Sequence, residues 1–295
     1  MRTFLAAFLI LAAASPAPAQ QVVNPEADVA VAAPAYRPGK GPRVRIDQAH
    51  ANFHVMDGRY APFAKLLAND GYRVAGHSAP FTAESLAGAD LLVISNATAP
   101  GGADSAFTDA EIAALERWVK RGGSLLLIAD HAPFAGAAAK LGKAFGVSFR
   151  DGYAVNMAAQ GKDLFRRGAG LADHPITRGA NGDPAVSQVR TFTGSAFEAP
   201  GAAPLLTLSE GFVLLRPAQG AVDDSTPREP AGGLLQGAAS THGKGRVVVM
   251  GEAAMFSSQL AGPGKMIMGF GAEGAEQNQR FALNLMHWLS RRKGY

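Results

Sequence analysis

A chain of 295 residues that is 47% hydrophobic and 18% charged carries enough apolar material for a substantial core, which excludes an intrinsically disordered polymer. Its formal charge of +4 is weak, and no basic stripe interleaved with aromatics occurs, so no nucleic-acid partner is expected. There is no cysteine, which rules out disulfides, thiolate nucleophiles and Cys-ligated zinc.

In chain order, Arg2 supplies a positive n-region, residues 4–14 an apolar core, and Ala17-Pro18-Ala19 a small-x-small cleavage signal. Residues 1–19 therefore read as a secretory signal peptide cut before Gln20, and the expected location is periplasmic or secreted. Crossing a bilayer takes about 20 apolar residues, and no stretch reaches that length, so no membrane span is expected. Residues 20–42, rich in Ala, Pro and Val without helical period, read as a flexible N-terminal tether. A single α/β domain is expected over 43–292.

That domain opens with a strand at 43–47, followed by a helix at 60–69 with Phe63, Leu66 and Leu67 on one face. Short strands are expected at 72–74 and 90–95, the second apolar enough to be buried on both faces. Thr108-Asp109-Ala110-Glu111 fits a capping box, and Ile112, Leu115, Trp118 and Val119 form the stripe of the helix it starts. Gly122-Gly123 ends that helix, the strand 124–129 follows, and a helix is expected at 136–145. The order β-α-β-β-α-β-α argues for a mainly parallel sheet.

The stretch 146–200 is irregular. Residues 205–208 and 212–215 predict a β-hairpin around Ser209-Glu210-Gly211, inserted between the parallel strands. Residues 217–233 read as a mobile surface loop. Strands at 234–240 and 246–250 pair across 241–245, and a helix at 275–290 closes the chain on Phe281, Leu285, Trp288 and Leu289.

Three strands end in ionisable groups, and in an α/β sheet ligands gather at the carboxyl ends of strands. The first delivers Asp47, His50, Asn52 and His54. The second delivers Asp130 and His131, in a loop stiffened and partly dried by Pro133 and Phe134. The third delivers Glu252, with Ser257 beyond it. Asp and His at such spacing fit either a divalent metal such as zinc or a hydrogen-bonded acid–base pair. The competing account makes Asp47 a turn residue, Asp130 a helix cap and Ser257 a cap as well. The expected catalytic set is His50, Asp130, His131 and Glu252. The expected ligand-binding set is Asn52, His54, Ser257 and Asn278. The expected metal set is Asp47, His50, His131 and Glu252. No G-x-S-x-G elbow, dinucleotide fingerprint or P-loop occurs.

Ile46-Asp47-x-x-His50-x-Asn52, the run from Phe107-Thr108 to Ala129-Asp130-His131, Asp173-His174-Pro175-Ile176-Thr177, the run from Gly243 to Glu252 and the helix from Asn278 to Leu289 occur in that order. Together they resemble the class I glutamine-amidotransferase-like superfamily, in particular exported bacterial members distantly similar to gliding-motility and intraflagellar-transport domains. The resemblance implies a flavodoxin-like three-layer sandwich around a mainly parallel sheet. It departs at the turn where amidotransferases place a Cys nucleophile. Here Asp130-His131 occupies that turn, so Cys-dependent glutamine hydrolysis is excluded. The expected function is an exported hydrolase-like protein acting on a small-molecule or saccharide-like substrate. The alternatives are a non-catalytic periplasmic module that binds a ligand, a glycan or a protein, and a structural envelope protein.

Overall fold

The computed structural model describes residues 21–159, 163–180, 182–217 and 222–295, so the signal-peptide reading of 1–19 lies outside the described residues. Five strands run parallel: β1 (Arg43–Asp47), β2 (Arg73–His77), β3 (Leu91–Ser95), β4 (Ser124–Ile128) and β5 (Gly245–Met250). Their order across the sheet is β2-β1-β3-β4-β5. Leu235–His242 pairs antiparallel with β5, and further short strands extend a mixed sheet of twelve.

The main helices are α1 (Ala61–Asn69), α2 (Asp109–Lys120), α3 (Phe134–Ala144) and α4 (Asn278–Leu289), with single turns at Ala83–Leu86 and Pro175–Arg178. Side chains alternate across a strand, so each buried strand feeds two cores. Val93, Leu126 and Val248 join the stripes of α1 and α4. Leu92, Ile94, Leu125, Leu127 and Val249 join those of α2 and α3. This is why β3 and β4 are apolar at nearly every position.

The capping box of α2 forms as its sequence requires. Thr108 Oγ1 accepts from the Glu111 amide at 3.3 Å, and Glu111 Oε2 accepts from the Thr108 amide at 3.0 Å. Replacing Thr108 by Ala is expected to cost about 1 kcal/mol. Thermal unfolding would show this as a fall of roughly 2–4 °C, and an unchanged midpoint would remove the cap from the account.

Three expectations differ from the structure. The residues read as a tether at 20–42 are packed on the domain from Gln21 onward. Gln21–Val23 pairs antiparallel with Ser258–Ala261, Val29 is buried, and the Ala35 amide donates to Asp70 Oδ1 at 2.7 Å. Aperiodic composition indicates the absence of a helix but says nothing of what an extended backbone pairs with. The predicted hairpin does not form. Ala203–Thr207 pairs with Leu235–His242, whereas Phe212–Leu215 pairs with Tyr153–Asn156 and with Arg228–Pro230 in a separate sheet. Adjacency in sequence suggested a local partner, and burial selected distant ones. The stretch read as a surface loop at 217–233 contributes the strand Arg228–Pro230, and its residues 218–221 lie outside the described residues.

Candidate functional site

Register sets the site. Ser95 lies beside Ile128, and Ile128 beside Met250. The residues that follow, Asn96, Asp130 and Glu252, therefore leave the sheet at one rim. Ser195 ties two of these turns together: its amide donates to the Gly251 carbonyl at 2.7 Å and its hydroxyl to the Ala129 carbonyl at 2.6 Å. The close approach depends on Gly194, where a Cβ would sit 2.4 Å from the Gly251 carbonyl oxygen. Above the rim lies a cavity of about 320 Å³. Gln21, His54, Asn96, Asp130, His131 and Glu252 supply its polar wall, and Phe53, Phe134, Tyr153, Phe192 and Met268 much of its apolar one.

His131 is the most available base of this cavity. Its ring stacks on Tyr153 with centroids 4.4 Å apart and planes 16° apart. Nδ1 lies 2.9 Å from the Ala132 carbonyl oxygen, which can only accept, so Nδ1 carries the proton. Nε2 is then left with a lone pair, and among the described residues no protein group hydrogen-bonds to it.

Asp130 and Glu252 are buried beside it. Burial pushes the Asp130 carboxyl up, against the neighbouring His131 and the backbone amides that favour its charge. Burial, reinforced by the charge of Asp130, pushes Glu252 well above the usual carboxylate range. Two adjacent buried carboxyls disfavour double ionisation. All four oxygens also accept from backbone amides: Asp130 from His131 and Ala253, Glu252 from Ala254 and Met255.

Asn96 organises the rim. It sits in the left-handed region at φ 52°, which Asn tolerates better than most residues. Its Oδ1 accepts from the Asp130 amide at 2.9 Å, which fixes its Nδ2 as a donor to His54 Nδ1 at 3.3 Å. His54 Nε2 must then carry the proton, and it faces the Gln259 amide at 3.2 Å. The atom in contact is Gln259 Nε2, itself a donor, so the contact is satisfied only with the amide turned over, which brings the unpartnered Oε1 against Nε2–H. Burial, helped by the positive charge of Arg59, holds His54 down at about 3. His54 is thus a neutral wall residue rather than a base.

Asp47 and His50 are directed elsewhere. His50 Nδ1 lies 2.9 Å from Asp47 Oδ2, and its Nε2 lies 2.9 Å from Glu111 Oε1. The ring is held between Phe81 and Phe107 at 4.5 and 4.8 Å. Burial disfavours its charge, but hydrogen bonds and charge from Asp47 and Glu111 outweigh that and raise its pKa. Glu111 is held down at about 2: burial opposes this, and His50 and the Thr108 and Phe81 hydrogen bonds prevail. With both ring nitrogens facing carboxylates, His50 is an imidazolium strut joining β1 to α2.

The expected metal set is thereby divided. Asp47 and His50 spend their ligating atoms on this trio, while His131 and Glu252 line the cavity. Among the described residues no group of three His, Asp or Glu is arranged to hold a metal ion. The expected ligand-binding residues divide as well. His54 lines the cavity. Asn52 holds the β1 turn, accepting from the His50 amide at 3.2 Å and donating to the Ser95 carbonyl at 3.3 Å. Ser257 is buried and donates to the Arg59 carbonyl. Asn278 is fully buried and bonds both backbone groups of Arg190, docking α4 on the strand Gln188–Thr191.

Asn96, Gln259 and Tyr153 were not legible as site residues. Asn96 had a signal, since Ser95-Asn96 ends a buried strand in a polar residue as Asp130 does. Gln259 closes the candidate stretch that begins at Gly251 but carried no signal of its own, and Tyr153 arrives from a segment without a clear period. Glu111 was legible only as a cap.

No family model matches the chain, and no curated protein matches it. Among solved structures it is similar to the mmIFT52 N-terminal domain, at 16% identity and TM-score 0.58, over 85% of this chain and 99% of that one. It is also similar to the cytoplasmic protein STM1381 from Salmonella typhimurium LT2, at 16% identity and TM-score 0.51, over 84% of this chain and 98% of that one. A ThuA-like protein from Bacteroides uniformis aligns at 13% identity with a TM-score of 0.43, over 88% of this chain and 93% of that one, too low to carry an argument. At these identities the likeness is one of fold alone: the chain is a mixed α/β protein with the fold of the mmIFT52 N-terminal domain.

Proposed function

We propose that the rim cavity is the active site of a hydrolase for a small molecule, on a flavodoxin-like three-layer domain of the glutamine-amidotransferase-like superfamily. The strand order β2-β1-β3-β4-β5 supports the fold reading, because flavodoxin-like sheets use it. The observation that carries the functional reading is the free Nε2 of His131 beside two buried carboxyls whose ionisation burial disfavours. Nε2 takes a proton from water, and the resulting oxygen attacks the electrophilic carbon of the scissile bond. The leaving group takes its proton from the Asp130–Glu252 pair, which is regenerated when His131 returns the proton it took.

The cavity volume of about 320 Å³ suits a ligand of one or two rings. Its aromatic wall suits a flat or saccharide-like body, with polar groups turned toward Asn96 and His131. The N-terminal signal supports export to the periplasm or medium. The test is a panel of ester, amide and glycoside substrates offered to the purified protein. Turnover in any class, with binding of its unreactive analogue, supports the reading.

A second reading has an observation of its own. All four carboxylate oxygens accept backbone amides, so Asp130 and Glu252 also shape the two turns. A binding module on the same fold needs no more than that. Saturable binding of analogues without turnover of any panel member would establish the module and remove the hydrolase.

A further inference from the structure

A second cavity, about 640 Å³, opens at the opposite, amino-terminal ends of the parallel strands. Lys40, Arg73, Arg121 and Arg291 reach it from four separate segments, and Trp118 forms part of its wall. Asp90 is the acid that lines it, and that carboxylate is already taken by Arg43 at 3.0 Å. Among the described residues none of the four cations makes an ion pair. Arg73 donates to the Gly41 carbonyl, and Arg291 to Ser124 Oγ and the Lys244 carbonyl, so their charges remain uncompensated.

The bland account is that these cations complement helix ends. The carboxyl termini of α1, α2 and α4 lie here, at Asp70, Arg121 and Ser290. Each helix end is worth about −0.5 charge. Three ends offset roughly −1.5 of the four positive charges, leaving about +2.5 facing one concavity. Helix dipoles therefore explain part of the cluster and not its excess.

We propose that this cavity binds a small, multiply charged oxyanion. Three guanidinium groups offer planar forks that match carboxylate and phosphate oxygens, and their arrangement around a wide opening suits two or more anionic groups over one. The site is separate from the rim cavity, so it stands or falls independently of the hydrolase reading.

The test is titration calorimetry, with tryptophan fluorescence as a second readout, of the full-length mature chain. Pyrophosphate and citrate are the probes, and sodium chloride at matched ionic strength is the control. Saturable binding of either probe is expected, and the tighter of the two assigns the class of anion. Lys40→Gln with Arg121→Gln should weaken binding at least tenfold while lowering the melting temperature by no more than about 4 °C, since both side chains are exposed and Arg121 contributes only a helix-end charge. Arg228→Gln, on a distant strand, should leave it unaltered. Binding no greater than the salt control, or equal binding by the double variant, would overturn the proposal. So would sedimentation with phosphatidylglycerol vesicles that pyrophosphate does not compete away, because the occupant would then be a membrane surface.

Discussion

Replacing Asp47 by Ala is expected to destabilise the protein by about 3 kcal/mol, because removing one partner of a buried ion pair leaves the other charge uncompensated. Here the stranded charge is the His50 imidazolium, which keeps Glu111 but loses the carboxylate facing Nδ1. In a domain of this size the loss would lower the melting temperature by roughly 6–12 °C. Asp47→Asn keeps an acceptor and should cost less. A shift below about 2 °C for Asp47→Ala would mean that the trio contributes nothing measurable.

The trio also fixes the sign of a pH dependence. His50 has a raised folded pKa, so its stabilisation is fully present below the unfolded value of 6.5 and is lost as pH rises through the folded one. Glu111, lowered from 4.5 to about 2, contributes above 4.5 and loses that contribution as pH falls through about 2. His54, lowered to about 3, adds a loss as pH falls from 6.5 toward 3, because the unfolded chain takes up the proton first. Stability should therefore decline on both sides of a maximum. In Glu111→Gln the decline on the alkaline side should be shallower, as measured by denaturant midpoints across pH.

His131→Ala is expected to abolish turnover of whichever panel substrate is accepted, with a loss of about 10²–10⁴ in kcat, the usual contribution of a positioned general base. Its melting temperature should change little, since the ring is only half-buried and its one hydrogen bond is to the adjacent residue. KM should move less than kcat, because aromatic side chains hold the substrate body. Imidazole added to His131→Ala should restore part of the rate, whereas a merely structural role would not respond to it. Full activity in the variant would transfer the base role away from this residue and end the mechanism as drawn. His50→Ala is the informative contrast: it should lose stability, and any activity it loses should follow its folded fraction.

The amino-acid sequence by itself determined the parallel half of the sheet and its helices. Near-continuous apolar runs at β3 and β4, the capping box of α2 and the stripe of α4 are local patterns, and their energetics are local too. The same logic located Asp130, His131 and Glu252, because a strand that ends in a polar residue announces its end wherever it lies. Tertiary structure alone decided which of the ionisable tips share a cavity. Asp47 and His50 leave β1 at the same rim, yet Glu111, sixty-one positions from His50, captures the imidazole from α2 and converts an expected catalytic histidine and its expected metal-binding neighbour into a strut. It likewise decided the partners of 21–23, 203–207 and 212–215, since strand pairing is settled by burial among segments far apart in the chain. Periodicity encodes which face of an element is apolar. It does not encode which distant backbone or carboxylate will meet that element once the core has closed.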